Sequence, residues 1–197
     1  MLRTVILAAA VTAPLAAQST GTPVYAAPYR AFDMSEIALS IADPGPGVDF
    51  EASYREAYTQ HIDLGIRGGF HGDDGPGNHT SVLLGGDFRA RVLDHGESFP
   101  LDGSLTLGLG MESGRGGTVG YLPIGFSMGR RLHLQGSSMS IVPYVQPVLM
   151  PIFGAGRGTD FTLGFGADLK VSPRLDLRVS GGIGDRDGVG FTAAFLR

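Results

Sequence analysis

Apolar and polar residues alternate one for one through most of the chain after residue 33, and this alternation is typical of β-strands. In residues 161–171, phenylalanine, leucine, alanine and valine occupy the odd positions, while threonine, glycine, aspartate and lysine occupy the even ones. Residues 104–111 and 175–184 follow the same rule. A strand with this pattern has one apolar face and one polar or glycine-rich face.

Ten segments with this period are separated by short stretches rich in glycine, proline and acidic residues, which are typical of hairpin loops. Most segments have about 9 to 11 residues, the length that a tilted strand needs to cross a bilayer. The sequence therefore predicts an all-β, antiparallel up-and-down transmembrane barrel of about ten strands. Eight is the rival count, because the first segment and the proline-containing seventh are the least regular. The segments are residues 34–42, 48–57, 60–70, 81–92, 101–111, 119–132, 139–153, 159–172, 174–184 and 188–196.

Alternation alone does not decide which face lies inside, because a soluble barrel buries its apolar face and an outer-membrane barrel exposes that face to lipid. Two features favour the membrane arrangement. The polar faces contain many glycines, including Gly108, Gly164 and Gly182, and such small residues suit a crowded interior. The charges on these faces are also of both signs. We therefore expect apolar side chains to contact lipid and polar side chains to face the lumen.

Residues 1–17 have the organisation of a secretory signal peptide. Arg3 precedes a short apolar stretch, and Ala16 and Ala17 form a small-residue cleavage site before Gln18. The apolar stretch is too short to span a bilayer as a helix. We expect cleavage near Ala17, a leader segment over residues 18–33, and a barrel over residues 34–197.

Composition narrows the class of protein further. The chain has 32 glycines in 197 residues, about 16% against a usual ~7%. So many glycines disfavour helical bundles, and an apolar content of 43% disfavours a disordered chain. A net charge of -4 provides no basic surface, so no nucleic-acid partner is expected. The chain has no cysteine for a thiolate nucleophile or a cysteine-ligated metal.

The last predicted strand resembles the closing strand of small bacterial outer-membrane β-barrel proteins, the porin-like superfamily. Such strands usually carry a glycine followed by hydrophobic or aromatic residues three and five positions later, and Gly190, Ala193 and Phe195 keep that spacing. Two departures are that the chain continues through Leu196 and Arg197, and that it has no tryptophan for an interfacial belt. The resemblance implies an outer-membrane location, contact with outer-membrane lipids, and recognition of this strand by the barrel-assembly machinery.

Acids and bases occur in equal numbers on the predicted polar faces, so we expect them to line the lumen and to pair with one another. A selective pore would instead expose a ring of charges of one sign. The alternative interpretation is a narrow path for water or small solutes. The predicted lumen-lining residues are Asp49, Glu51, Arg55, Asp63, Arg67, Asp87, Arg89, Arg91, Asp168, Lys170, Asp176 and Arg178.

The sequence predicts no catalytic residue, cofactor or metal site. Its five histidines fall at strand ends or in loops, and neither Gly-x-Ser-x-Gly nor His-Glu-x-x-His occurs. One loop contains His71, Asp73, Asp74 and His79, but its spacing matches no established cation-binding loop. The leading prediction is a structural or passive small-solute barrel of the outer membrane. The alternatives are an outer-membrane lipid hydrolase and a soluble periplasmic carrier of apolar ligands.

Overall fold

A computed structural model describes most of the chain. The predicted signal peptide, and residues 18 and 29–33 of the predicted leader, lie outside the described residues. No helix in the described part is long and apolar enough to cross a membrane. The described residues are 19–28, 34–45, 47–73, 79–96 and 99–197.

These residues form twelve β-strands, and every pair of neighbouring strands is antiparallel. The sheet closes on itself, because β9 pairs with β10 and β12 pairs with β1. The strands are β1 (Glu36–Asp43), β2 (Val48–Thr59), β3 (Ile62–Gly72), β4 (Thr80–Leu93), β5 (Asp102–Gly114), β6 (Gly117–Tyr121), β7 (Ile124–Gly129), β8 (Leu132–His133), β9 (Ser140–Gly154), β10 (Gly158–Ser172), β11 (Leu175–Gly184) and β12 (Gly188–Leu196).

Three of the strands, β6, β7 and β8, occupy a single position in the barrel wall. Both β6 and β7 pair with β5 in one continuous register, and all three strands pair with β9. The wall of the described barrel therefore has ten positions. This confirms the prediction of about ten strands over the rival count of eight.

Prolines in β9 explain why this wall strand is divided. Pro143, Pro147 and Pro151 are spaced four residues apart, so their nitrogens all point to the same edge of β9. The edge is the one beside β6 to β8, because Leu122 N donates to Pro151 O at 3.0 Å. A proline has no N–H to donate, so the ladder is interrupted opposite each one. The same prolines made the seventh predicted segment look irregular.

The two faces of the wall have opposite chemistry. On β5, Leu107 is 44% exposed while its neighbour Thr106 is 2% exposed. Most large side chains on the outer surface are apolar, whereas most buried side chains are polar or charged. This is the reverse of a soluble protein and matches the surface of an outer-membrane-type barrel.

Exposed aromatic residues mark both edges of the apolar outer surface. The end of the barrel that holds the β1–β2, β3–β4 and β11–β12 connections is called the upper end here, and it carries exposed Phe50, Phe70 and Phe153. The lower end carries Tyr58 and Phe195. Phe50 and Tyr58 lie eight residues apart on β2, which is roughly 26 Å along the strand and roughly 20 Å along the barrel axis at the usual tilt. This height approaches the ~25 Å apolar band of outer-membrane barrels.

The first strand of the wall begins at the lower end, and the last strand ends there. Ser35 N donates to Arg197 O at 3.0 Å, and Arg197 N donates to Ser35 O at 2.9 Å. An even number of wall positions requires this arrangement, because each antiparallel strand reverses direction.

The outer face generates the first prediction. Arginine at Leu107, in the middle of β5, should destabilise the inserted barrel by about 2 to 4 kcal/mol, because its charge would lie in hydrocarbon. Arginine at Leu134, which is 39% exposed and follows β8 at the lower end, should cost about 1 kcal/mol or less. Urea titration of both variants folded in lipid vesicles measures the difference. Equal costs at the two positions would contradict the membrane orientation.

Candidate functional site

The inner face of the wall carries a network of ion pairs on β2, β3 and β4. The Arg55 guanidinium contacts both Asp63 and Asp87. Arg67 lies 3.4 Å from Glu51 and 3.7 Å from Asp87. These residues are two apart or a multiple of two apart along their strands, so they share the inner face. The network therefore joins three adjacent strands through five of the predicted lumen residues.

Glycine makes room for this network. A Cβ atom at Gly65 would lie 2.8 Å from Arg55 and 2.9 Å from the Asp87 carboxylate. A side chain at this position would displace the guanidinium and the carboxylate from the places where they meet between β2 and β4. At least one glycine of the polar faces is thus explained by the space that an ion pair needs.

Arg89 is fully enclosed in the lumen, with no exposed surface. Its Nε donates to Asp63 Oδ2 at 3.1 Å, so Asp63 is paired with both Arg89 and Arg55. Its Nη1 donates to the carbonyl oxygen of Ala27 at 2.9 Å. Arg89 therefore connects the ion pairs of the wall to a segment that is not part of the wall.

A second network surrounds Arg178 on β11, nearer the lower end. Its guanidinium forms two hydrogen bonds with the Glu36 carboxylate, at 2.9 and 2.5 Å. The same side chain lies 3.2 Å from Asp168 and 3.6 Å from Asp176. Lys170 stands directly opposite Asp176 in the β10–β11 register. Arg178 thus lies within 4 Å of three carboxylates in a nearly closed space.

Glu36 and Asp102 belong to the lumen but were missed by the sequence analysis. Asp102 has no exposed surface and accepts a hydrogen bond from Arg91 at 3.1 Å. Glu36 is buried at the start of β1. Alternation on β1 could have identified Glu36, since Ala38 and Ser40 occupy the same inner face. Asp102 stands at the first position of its strand, where alternation gives little signal.

Residues 19–28 lie in the lumen as an irregular segment without strand pairing, with a turn in which Val24 N donates to Thr22 O at 2.8 Å. Ser19 is 1% exposed and Ala27 is 0% exposed, although neither belongs to the wall. Thr20 and Gly21 lie towards the upper end, near Pro44 and Arg186. Ala27 lies deeper, beside Arg89. The part of the predicted leader that the structure describes therefore fills the barrel.

An acidic cavity of about 390 Å³ opens at the upper end above Thr20 and Gly21. Several of its carboxylates have partners: Asp49 lies 2.7 Å from His71 Nδ1, and Asp160 lies 2.8 Å from Arg186 Nε. The described residues contain no group of three or more side chains arranged to hold a metal ion. Asp74, in the loop singled out from the sequence, lies outside the described residues.

Two histidines form imidazole–carboxylate contacts of the kind found in hydrolases. His71 Nδ1 lies 2.7 Å from Asp49, and His95 Nδ1 lies 3.0 Å from Asp102. In the described part of the chain, no serine hydroxyl hydrogen-bonds to either imidazole. A hydrolase triad needs that third group. The lipid-hydrolase alternative therefore stays a sequence-based prediction.

Comparisons with known proteins give similarity in fold alone. No family model and no curated protein matches the chain. Among solved structures, it is similar to a de novo designed transmembrane β-barrel, with 17% identity, a TM-score of 0.41, and coverage of 83% of this chain and 95% of that one. It is also similar to the N-terminal β-barrel domain of Pseudomonas aeruginosa OprF, with 12% identity, a TM-score of 0.36, and coverage of 83% and 97%.

The Arg178 network generates the second prediction. The Arg178→Ala variant leaves carboxylates buried without their cation, so the free energy of unfolding should fall by about 3 to 5 kcal/mol. Arg174→Ala is the matched control, because Arg174 is exposed in the β10–β11 turn and its loss should cost about 0.5 kcal/mol or less. Urea unfolding of both variants in vesicles measures the costs. A loss of about 1 kcal/mol or less for Arg178→Ala would mean that water solvates the carboxylates and that the lumen is open.

Proposed function

We propose that the protein is an integral barrel of a bacterial outer membrane with a structural role, and that its lumen is closed to solutes in the state described. One observation carries this proposal. The wall exposes apolar side chains outward, while paired charges and residues 19–28 occupy its interior. The first half of that observation supports insertion in a bilayer, and the second half supports a closed barrel.

The charges of the lumen support closure rather than selective conduction. A selective pore presents charges of one sign to its solute. Here Arg55, Arg67 and Arg178 are each within 4 Å of at least two carboxylates. These arginines are already neutralised by the wall, and they leave little free charge to attract an ion.

The closing strand supports the proposed location and assembly. On β12, Phe191 and Phe195 are exposed on the outer face, while Gly190 is buried on the inner face. We propose that the outer face of this strand contacts lipid and that the spacing of Gly190, Ala193 and Phe195 is recognised by the barrel-assembly machinery. The lower end, which holds Arg197, would then face the periplasm.

The third prediction tests location and closure together. The native protein should sediment with outer-membrane vesicles, run as a compact heat-modifiable band on a gel, and fail to release a small solute from lipid vesicles. Recovery in the soluble fraction after osmotic shock would favour the periplasmic carrier. Serine labelling by a fluorophosphonate would favour the hydrolase, and rapid solute release would favour an open pore. Heat-unfolded protein is the control for each measurement.

The fourth prediction tests orientation. The chain has no cysteine, so a single introduced thiol reports one position. Gly116 lies exposed in the upper β5–β6 turn, where an added Cβ atom would meet no heavy atom within 4 Å, and Arg174 lies exposed in the lower β10–β11 turn. A membrane-impermeant maleimide added to intact cells should label Gly116→Cys and spare Arg174→Cys. The opposite labelling would reverse the orientation.

A further inference from the structure

The lumen is shaped around residues 19–28, and we propose that these residues are a displaceable plug seated in a binding site for a peptide segment. The ligand class is an uncharged, proline-containing segment, and its occupant here is part of the same chain. The inference rests on the proposed membrane barrel and adds a means by which its lumen could open.

Glycines of the wall give the site its shape around residues 19–25 of the plug. A Cβ atom at Gly108 would lie 3.1 Å from the Ser19 Cβ, and a Cβ atom at Gly190 would lie 2.9 Å from the Pro23 carbonyl oxygen. A Cβ atom at Gly164 would enter the ring of Tyr25. The contacts at Gly164 and Gly190 are shorter than real Cβ atoms make, and the contact at Gly108 would force the neighbouring atoms to move by a few tenths of an ångström. At Gly164 the three nearest atoms all belong to Tyr25, so the plug itself occupies the space of a side chain there.

Side chains of the wall bind the backbone of the plug. Ser180 Oγ donates to Pro23 O at 2.9 Å, and Ser127 Oγ donates to Ala26 O at 2.6 Å. Gln146 Oε1 accepts from Ala26 N at 3.0 Å. Together with the bond from Arg89 to Ala27 O, they satisfy polar backbone groups that would otherwise be buried without partners.

The plug is suited to this site by its composition. Residues 19–28 carry no charge, so they can enter the lumen without disturbing the ion pairs. Pro23 and Pro28 have no N–H, which reduces the number of buried donors that the wall must satisfy. Proline also restricts the backbone before binding, and this lowers the entropy cost of ordering the segment.

The plug can leave without dismantling the wall. No residue from 19 to 28 takes part in the strand pairing of the barrel. The ion pairs of Arg55 and Arg178 join wall residues to wall residues. Removal of the plug therefore breaks its own hydrogen bonds and apolar contacts, including the bond from Thr22 Oγ1 to Glu51 at 3.0 Å, but it leaves the ladders intact.

Planar-bilayer recording with a synthetic peptide tests the site. The full-length protein should conduct negligibly, and a variant lacking residues 19–28 should conduct steadily. A peptide with the sequence of residues 19–28 should then close the variant in a saturable manner, while a scrambled peptide at the same concentration should not. A folded, heat-modifiable variant that stays closed would overturn the plug but leave the proposed membrane barrel standing. Equal block by the two peptides would overturn specific binding.

A substitution in the full-length chain gives an independent test. Gly164→Leu fills the place of the Tyr25 ring and should displace the plug, so the protein should conduct. Gly86→Leu is the control for the substitution itself, because Gly86 lies on the outer face of β4, where the nearest atom to its Cβ position is the Gly65 carbonyl oxygen at 3.4 Å and no plug residue lies close. Adding Tyr25→Ala to Gly164→Leu should reduce the conductance by restoring space for the plug. If Gly164→Leu conducts no more than Gly86→Leu, the proposal is wrong at this contact.

Discussion

A closed β-barrel in a bilayer depends on one constraint: alternate side chains of every strand must meet two different environments. Hydrocarbon cannot hydrogen-bond to backbone groups, so the sheet must close and leave no edge unpaired. Closure then directs one residue in two outward and the next into a narrow interior. On β5, this separates Leu107 on the lipid side from Thr106 on the lumen side. The apolar surface and the charged core both follow from the same alternation.

The wall must then stabilise the charged side chains that point into its interior. A buried guanidinium or carboxylate is costly unless it is paired and hydrogen-bonded. The structure meets this condition by letting arginines bridge strands, as Arg55 does between β3 and β4. Such bridges need space, and Gly65 supplies it. Glycine and charge are therefore coupled features of the inner face, and the high glycine content serves both the ion pairs and the segment that fills the lumen.

The wall was predictable from the sequence because its signal repeats on every strand. The ten predicted segments correspond to the ten wall positions, and the segment over residues 119–132 is the one that β6, β7 and β8 divide. The division itself depends on Pro143, Pro147 and Pro151, which belong to a neighbouring strand, so only the pairing reveals it. The position of residues 19–28 was not predictable for a different reason. They have no period and no charge, and the glycines that receive them are distant in sequence.

The strands of the wall and the residues that fill the lumen are held by different interactions, and this difference matters for function. Interactions that hold the barrel closed as a sheet are strand ladders and wall-to-wall ion pairs, whereas interactions that fill it are a few hydrogen bonds and the apolar contacts of Tyr25. A typical hydrogen bond contributes about 1 kcal/mol net. Loss of the filling would thus cost far less than loss of the wall, and the two events need not occur together. A barrel built this way can be permanently folded while its lumen is only conditionally closed.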